Sequence, residues 1–330
     1  MKELQAIVRE LTAGTPAATA LATLVTVEGS SYRRPGARLL VRGDGSRLGS
    51  ISGGCLEEDV LAHARAVLAT GRAKTVVYDT TTENDLVWGV GLGCHGVVRV
   101  LVEKLPPRPA WAAQLAENFA ARRDTRVAVA HDAADATQLG TALAAEGAAS
   151  GRGVFVETIA PPTALFVFGA GDDAQPLVRL AKELGWRVTI ADPRATFATG
   201  VRFPAADACV VAPAAELVAR ANPDAVSLAV VMTHHYVHDV PLLRALLARP
   251  LAYLGLLGPR KRAEKILADL AAAGVAIDPA RRERLHAPVG LDLGAETPEQ
   301  VAFAILAEMQ AALAGRNARP LRERPHPIHG

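Results

Sequence analysis

The chain has 330 residues, of which 50% are hydrophobic and 21% are charged, and its formal net charge is +2. This length is typical of about two domains, and the small net charge gives no electrostatic reason to expect nucleic acid as a partner. The sequence lacks a run of about 18 or more apolar residues, so we expect no membrane span and no membrane partner.

The first half of the chain alternates predicted strands and helices. Residues 18–27 and 37–51 have strand-like apolar patterns, and Asp44 with Gly45 is typical of a hairpin turn. Residues 56–69 have helical apolar spacing, and Gly71 fits the end of that helix. The other elements predicted in this half are strands at 74–80, 96–105, 125–131 and 153–159, a helix over about 109–121, and loop and turn over 133–153.

The three cysteines are Cys55, Cys94 and Cys209. An odd, low count argues against a disulfide framework and favours a reducing compartment. The N-terminal residues "MKELQAIVRELTAG" resemble an amphipathic helix rather than a signal peptide. We therefore expect a cytoplasmic protein. Cys209, inside "DACVV", is interpreted as a small buried hydrophobe.

Cys55 follows Ser52, Gly53 and Gly54 and lies at or near the start of the helix predicted at 56–69. Backbone N–H groups at a helix N-terminus lower the pKa of a thiol, and the glycines allow a backbone concavity that binds an anion. Glu57 and Glu58 oppose the thiolate, or act as acid and base groups if they face the site. A functional thiol is favoured over a buried one for Cys55.

Two further features of this half have open interpretations. Cys94 lies in a second glycine-rich stretch, "GVGLGCHG", next to His95. For this thiol, a site shared with Cys55 and a role in packing are equally acceptable interpretations. Arg33 and Arg34 lie in "GSSYRRPG" between two predicted strands. Paired guanidinium groups suit bidentate binding of phosphate, and surface charge is the alternative.

After "APPTA" at 160–164, short apolar strands alternate with helices, which is typical of a parallel, doubly wound sheet. The predicted fold class is α/β, with a mixed α/β N-terminal domain over 1–160 and a Rossmann-like domain over 161–315. The basic, proline-containing residues 316–330 are expected to be disordered.

The motif "GAGDDA" follows a predicted strand and opens a predicted helix, which is the context of a dinucleotide-binding loop. It contains Gly169 and Gly171, and Asp192 ends the next strand at the position of a ribose-binding acid. Asp172 and Asp173 would repel a pyrophosphate at the helix N-terminus, and we interpret them as helix caps. A Rossmann-like fold is thus better supported than NAD(P) or nucleotide binding.

Other polar residues follow later strands of this domain. His234 and His238 in "MTHHYVHD" have the spacing of a metal pair on a helix, although a hydrogen-bonding role for His234 is favoured. Arg260 begins a helix after a Gly-Pro turn, where it either binds an anion or is solvated surface charge. Thr297 and Gln300 predict a capping box.

These residues carry a resemblance to a known family. "GSSYRRPGARLLV", "GSISGGCLEEDV" and "GLGCHG" resemble the N-terminal domain of the XdhC/CoxI family, the xanthine dehydrogenase accessory factors. "FVFGAGDDAQPLVRLAKELGWRVTIADPR", "VMTHHYVHDVPLL", "YLGLLGPRKR" and "PVGLDLGAETPEQVAFAILAEM" are similar to its Rossmann-like C-terminal domain. The segments occur in order from about residue 10 to residue 312, and their combination is specific.

The resemblance implies a maturation factor, or chaperone, for molybdenum hydroxylases. Such a factor binds the molybdenum cofactor, assists its sulfuration and delivers it to an apoenzyme of the xanthine dehydrogenase type. The resemblance assigns Cys55 to cofactor contact as a metal ligand, with Cys94 as a weaker candidate. The expected partners are an apo molybdenum hydroxylase client and a cysteine desulfurase, and we expect a homodimer without turnover of its own.

Two other hypotheses stay open. An NAD(P)-dependent oxidoreductase would bind a dinucleotide stoichiometrically and lose it on Asp192→Ala, but Asp172, Asp173 and the lack of a hydride-transfer constellation argue against it. A pure interaction protein would associate with a client and bind no small molecule.

Overall fold

The computed structural model describes residues 1–14, 18–79 and 96–325. The chain divides into two compact units, Met1–Pro162 and Thr163–Gly330. None of the helices in the described residues is both long enough and apolar enough to cross a membrane.

The first unit is built on a five-stranded antiparallel sheet with the order β3-β2-β1-β5-β4. Its strands are β1 (Thr19–Gly29), β2 (Arg38–Arg42), β3 (Arg47–Gly49), β4 (Lys74–Asp79) and β5 (Gly96–Leu105). Its helices are α1 (Lys2–Ala13), α2 (Glu57–Thr70) and α3 (Ala110–Ala120). Because side chains alternate along a strand, Ala22 and Leu24 pack on the α2 side, whereas Leu21 packs on the side of α1 and α3.

Two local predictions in this unit are confirmed. The β2–β3 hairpin turns at Asp44 and Gly45, where Gly45 has a φ of +84° and the Ser46 N–H donates to Asp44 Oδ1 at 2.8 Å. Helix α2 ends at Gly71, whose left-handed conformation lets its N–H donate to the Val67 carbonyl oxygen at 2.8 Å.

A separate three-stranded sheet, with the order β7-β6-β8, completes the first unit. It contains β6 (Thr125–Ala130), β7 (Gly140–Leu143) and β8 (Val154–Ile159), with a 3-10 turn at Ala136–Gln138. The prediction of loop and turn over 133–153 was therefore wrong for β7. This edge strand, "GTAL", is half exposed and has no apolar alternation, so its sequence carries no strand signal.

The second unit has a six-stranded sheet with the order β11-β10-β9-β12-β13-β14, in which every pair is parallel. The strands are β9 (Ala164–Phe168), β10 (Arg187–Asp192), β11 (Ala208–Val211), β12 (Leu228–Val231), β13 (Tyr253–Leu256) and β14 (Leu285–His286). This order, which reverses between β9 and β12, is that of a Rossmann-like sheet. The predicted fold class is confirmed.

Helices cover both faces of this sheet. They are α4 (Ala174–Glu183), α5 (Ala214–Ala221), α6 (Tyr236–Leu247), α7 (Arg260–Ala272), α8 (Pro279–Glu283) and α9 (Pro298–Leu313), and a 3-10 turn follows at Leu321–Glu323. Leu165 and Val167 of β9 pack with α4 and α9, whereas Phe166 and Phe168 pack with α5, α6 and α7. Burial on both faces explains why β9 is uniformly apolar.

The capping box at α9 is confirmed. The Gln300 N–H donates to Thr297 Oγ1 at 3.3 Å, and the Thr297 N–H donates to Gln300 Oε1 at 3.1 Å. The interpretation of Cys209 as a buried hydrophobe was wrong. Its strand, β11, is an outer strand of the sheet, and the thiol is exposed. The partial burial that remains raises the pKa of the Cys209 thiol.

Candidate functional site

Cys55 lies on an exposed loop between strand β3 and helix α2. Gly53, Gly54 and Cys55 are exposed, whereas Ile51 before them and Leu56 after them are buried in the core beneath α2. Two apolar anchors thus fix the ends of the loop and leave the thiol in solvent. The helix begins at Glu57, so Cys55 lies just before its first turn.

A buried carboxylate holds this loop from the inside. Glu57 is 4% exposed, and its Oε1 accepts hydrogen bonds from the Ser52 N–H at 2.9 Å and from Ser50 Oγ at 3.0 Å. The Ser52 hydroxyl donates to Glu57 Oε2. Burial raises the pKa of Glu57, but the hydrogen bonds from Ser52 and Ser50 outweigh it and hold the pKa below its ordinary value. Glu57 is therefore an ionised structural acceptor rather than an acid facing Cys55.

The predicted backbone concavity is only partly open. The N–H groups of Gly54 and Leu56 donate to Ser52 Oγ at 3.1 and 3.2 Å. The N–H groups of Gly53 and Cys55 have no hydrogen-bond partner among the described residues. Gly54 has a φ of +115°, which favours glycine, and a Cβ there would meet no atom within 4 Å. Two N–H groups beside the thiol are thus free to bind an anionic group.

The arginine loop lies next to this glycine loop. A Cβ on Gly53 would approach the Tyr32 ring to 3.7 Å. Arg33 pairs with Glu3 of α1, with an Nη2–Oε2 distance of 2.5 Å, so its guanidinium is already engaged. Arg34 is exposed and has no carboxylate partner among the described residues. Of the two predicted phosphate ligands, Arg34 is the one whose guanidinium is available.

Cys94 and His95 lie outside the described residues. Gly96, the first described residue after them, pairs with Gly29 at the end of β1. A Cβ on Gly96 would lie 2.4 Å from the Ser30 carbonyl oxygen, so only glycine fits there.

In the second unit, the glycine motif lies where the strand order reverses. Gly169 has a φ of +125°, and a Cβ there would lie 2.5 Å from the Met232 carbonyl oxygen. The backbone after β9 thus passes directly against the backbone after β12. A Cβ on Gly171 would meet only side-chain atoms of Asp173, the nearest being Oδ1 at 2.5 Å.

Asp192 is fully buried at the end of β10. Its Oδ2 accepts from the Ala170 N–H at 2.7 Å and from Arg194 Nη2 at 2.8 Å, and its Oδ1 accepts from Arg194 N and Nε at 2.8 and 2.9 Å. Burial raises the pKa of Asp192, but these hydrogen bonds hold it below its ordinary value. A carboxylate has about four acceptor positions, so a ribose hydroxyl would have to displace Arg194.

The interpretation of Asp172 and Asp173 as helix caps was wrong. A residue that caps a helix with its side chain has an extended backbone. Asp173 instead has helical backbone angles, φ −68° and ψ −20°, and its side chain makes no capping hydrogen bond. Instead, Asp172 Oδ1 lies 2.9 Å from Arg202 Nη2, and Asp173 Oδ2 lies 2.7 Å from His234 Nε2.

His234 has a left-handed φ of +59° and lies before α6, whereas His238 lies within it. The shared helix face that would make them a metal pair therefore does not form. Among residues 1–14, 18–79 and 96–325, no group of three or more His, Cys, Asp or Glu side chains is placed to hold a metal ion. Arg260 is exposed at the start of α7 and has no side-chain partner in the described part of the chain.

Two interactions were missed by sequence reasoning. One is the pairing of Ser52 with Glu57, for which the only signal is a carboxylate at the first position of a helix after a serine-glycine loop. The other joins three parts of the second unit: Asp239 is buried, accepts from Thr233 Oγ1 at 2.5 Å and pairs with Arg262.

Two family models match the chain. One, described as the XdhC and CoxI family, matches residues 12–79, and the other, described as the XdhC Rossmann domain, matches residues 165–309. A protein of Bacillus subtilis (strain 168), named as a probable xanthine dehydrogenase subunit, is 32% identical over 310 residues, which cover 88% of this chain and 91% of that protein.

Two further proteins are similar over most of their length. The molybdenum cofactor insertion chaperone PaoD of Escherichia coli (strain K12) is 26% identical over 289 residues, which cover 88% of this chain and 81% of PaoD. A crystal structure described as a xanthine dehydrogenase from Bacillus halodurans superposes with a TM-score of 0.81 at 28% identity, covering 98% of both chains.

Proposed function

The chain belongs to the XdhC and CoxI family, and from this premise we propose that it is a maturation factor for a molybdenum enzyme. In this proposal it binds the molybdenum cofactor as cargo and delivers it to an apoenzyme of the xanthine dehydrogenase type. The name of PaoD, a molybdenum cofactor insertion chaperone, supports the choice of cargo. The name of the Bacillus subtilis relative supports the class of client.

The observation that carries the proposal is the exposed thiol of Cys55 on a loop that buried contacts hold in place. Ile51 and Leu56 anchor the two ends of the loop, and Glu57 ties Ser52 to the start of α2. A thiol that served only to pack would lie inside such an arrangement, whereas Cys55 lies outside it. The loop thus presents a soft sulfur ligand in a fixed position.

The donors around Cys55 fit the two ends of the cargo. A thiolate is a suitable ligand for a sulfur-rich metal centre, so Cys55 is assigned to the molybdenum end. The N–H groups of Gly53 and Cys55, which lie beside the thiol, suit an anionic oxygen at the same end of the cargo. The guanidinium of Arg34 suits the phosphate end. Arg33 is the weaker candidate because Glu3 neutralises it. Cys94 stays a proposed second contact.

The remaining partners belong to the same proposal. Sulfuration of the bound cofactor would require a sulfur donor, for which a cysteine desulfurase is the chemical class. A homodimer that carries one cofactor on each chain is the proposed assembly.

The rival hypothesis, an NAD(P)-dependent oxidoreductase, finds less support in the second unit. The ribose-binding position is held by Asp192, whose carboxylate already accepts four hydrogen bonds. Asp172 and Asp173 place two carboxylates at the start of α4, where a pyrophosphate would bind. Arg202 offsets the charge of Asp172 only in part, because a bound phosphate would have to compete with that carboxylate for the same guanidinium.

The test is anaerobic binding of isolated molybdenum cofactor to the wild type, Cys55→Ala and Cys209→Ala. Bound pterin is quantified by fluorescence after oxidation. Cys209 is the matched control, because it is also an exposed free thiol but lies on the outer strand of the other unit. We expect near-stoichiometric pterin on the wild type and on Cys209→Ala, and at least a tenfold loss on Cys55→Ala.

Each other outcome has a definite meaning. An absence of pterin on all three proteins would refute the carrier function. Equal loading of all three would keep the carrier function and remove Cys55 from it. Loss on both variants would indicate a general thiol requirement rather than a site at Cys55.

A further inference from the structure

The first unit contains a cavity of about 570 Å³ that the proposed function does not use. It lies between the five-stranded sheet and the three-stranded sheet. Val25, which lines it, packs with Leu101 and Val129, whereas helix α2 packs on the opposite face of the five-stranded sheet. The cavity is thus separated by the sheet from the helix that follows Cys55, and what it binds is independent of the cofactor proposal.

Apolar side chains line the cavity from both sheets. They include Val25 of β1 and Val77 of β4 on the five-stranded sheet, and Phe155 of β8 on the three-stranded sheet. Val77 points away from the α2 core and is 54% exposed, although its neighbours on β4, Val76 and Tyr78, pack into that core. A volume of this size with apolar side chains in its lining is typical of a site for a small organic molecule.

The lining of the cavity also contains two arginines, Arg99 and Arg152. Arg99 Nη1 donates to Glu28 Oε1 at 2.5 Å and to Thr26 Oγ1 at 3.3 Å, and its other guanidinium nitrogens have no partner among the described residues. Arg152 is exposed and has no carboxylate partner in the described part of the chain. Among the described residues that line the cavity, Asp132 is the one carboxylate. Because Glu28 already pairs with Arg99, Arg99 supplies only its remaining N–H donors. Arg152, which has no carboxylate partner in the described part of the chain, supplies the available positive charge. A guanidinium beside apolar side chains favours an amphipathic anion.

A buried imidazole completes the lining. His131 is 7% exposed, and its Nδ1 is buried without a hydrogen-bond partner in the described residues. Its backbone is fixed on both sides: its N–H donates to the Gly153 carbonyl oxygen at 2.8 Å, and its carbonyl oxygen accepts from Thr75 Oγ1. A buried polar group without a partner is unusual and calls for one. A heteroatom of a bound molecule would supply that partner once the ring turned toward the cavity.

We propose that this cavity binds a small organic anion, namely an aromatic ring that carries a carboxylate or a phosphate group. The ring would lie against Val77 and Phe155. The anionic group would bind Arg99 and Arg152, and His131 would be the hydrogen-bonding group between them. The two anions share the chemistry that the arginines recognise, so the experiment must separate them.

The test uses the full chain and isothermal titration with four probes: phenyl phosphate, benzoate, inorganic phosphate and benzyl alcohol. The variants are Arg99→Gln/Arg152→Gln, which removes the cations, and Gly151→Leu, which fills the cavity. A Cβ on Gly151 would meet no atom within 4 Å, so this variant should fold. Arg72→Gln, an exposed arginine of the same unit outside the cavity lining, is the matched control.

We expect stoichiometric binding of phenyl phosphate or benzoate that weakens at least tenfold in both cavity variants and is unchanged in Arg72→Gln. The tighter of the two aromatic probes identifies the anionic group. The proposal would be overturned if inorganic phosphate bound as tightly as the two aromatic anions, because the ring would then contribute nothing. It would also be overturned if benzyl alcohol bound as tightly as they do, because the anionic group would then contribute nothing. No binding up to about 10 mM, or binding that both cavity variants retain, would also overturn it. Thermal midpoints of the variants exclude unfolding as the cause of a loss.

Discussion

Replacing Glu57 by alanine tests whether the Cys55 loop is held by the buried carboxylate. The substitution removes the acceptor of three hydrogen bonds, one from the Ser52 N–H at 2.9 Å, one from Ser50 Oγ at 3.0 Å and one from the Ser52 hydroxyl. Ser52 is itself buried, so its N–H would lose its partner without gaining water. The loop should therefore become both less stable and less ordered.

The size of the effect follows from the charge and the burial. A hydrogen bond to a charged group contributes about 1.5–3 kcal/mol. The three bonds share one carboxylate, and water can reach Ser50, which is only partly buried, so the contributions do not add. We expect Glu57→Ala to lower the free energy of unfolding of the first unit by about 3 kcal/mol.

The assay must report on the first unit alone, because a chain of two units need not unfold in one step. Native-state hydrogen exchange of peptides from β1 and β5 gives that free energy. Glu58→Ala is the matched control: Glu58 is the next residue, its side chain is 82% exposed, and its nearest cation is Arg47 at 3.6 Å. This control should change stability by less than about 0.5 kcal/mol.

A second readout follows the thiol itself. The rate at which iodoacetamide alkylates Cys55 should change in Glu57→Ala and stay at the wild-type value in Glu58→Ala. If Glu57→Ala behaves as Glu58→Ala does in both measurements, the buried carboxylate does not hold the loop, and the position of Cys55 has another structural cause.

Strain, buried charge and a buried imidazole lead to three more measurable effects. Gly169→Ala places a Cβ 2.5 Å from a backbone oxygen at a φ of +125°. It should lower the free energy of unfolding of the second unit, measured by urea titration, by about 3 kcal/mol. Gly200→Ala places its Cβ in open space and should leave this free energy unchanged. Asp192→Ala should cost about 2–3 kcal/mol in thermal denaturation without any dinucleotide, because it removes the acceptor of the Arg194 hydrogen bonds and leaves a buried N–H unpaired, while the partly exposed Arg194 side chain can be hydrated. Burial lowers the pKa of His131, so the unfolded chain binds a proton on this imidazole more readily than the folded chain does. The first unit should therefore lose stability as the pH falls below about 6.5. Hydrogen exchange should show a smaller loss of stability for His131→Phe over the same pH range.

Each of these expectations has a contrary result. A Gly169→Ala variant as stable as Gly200→Ala would mean that the backbone after β9 does not approach that after β12. An Asp192→Ala variant of wild-type stability with weakened dinucleotide binding would favour the oxidoreductase hypothesis. Equal pH dependence in the wild type and His131→Phe would show that the imidazole is not buried neutral in the native state.

Local patterns in the sequence predicted the elements whose causes are local. The hairpin at Asp44 and Gly45 and the end of α2 at Gly71 depend on backbone conformations that glycine favours, and the start of α9 depends on residues three positions apart. The edge strand β7 could not be predicted, because its pairing with β6 is determined by the neighbouring strand rather than by its own composition.

The candidate sites divide in the same way. The glycine loop before Cys55 was visible in the sequence, but the engagement of Arg33 was not. Its partner, Glu3, is 30 residues away and lies on helix α1. The pairing of His234 with Asp173 likewise spans 61 residues and depends on the crossover that places β12 next to β9. Such pairs follow from topology, and one sequence without its fold does not determine them.

The glycine motif and Asp192 show why a binding fingerprint can persist for structural reasons alone. Gly169 is required because the backbone after β9 touches the backbone after β12, whatever the ligand. Asp192 bridges the Ala170 N–H and Arg194, and so ties the loops after β9 and β10 together. Both residues would stay under selection for stability in a chain that bound no dinucleotide. The motif therefore supports the fold but does not by itself show that a nucleotide binds. The Arg194→Ala variant frees the Asp192 carboxylate, so a nucleotide that used this carboxylate should bind more tightly to the variant than to the wild type.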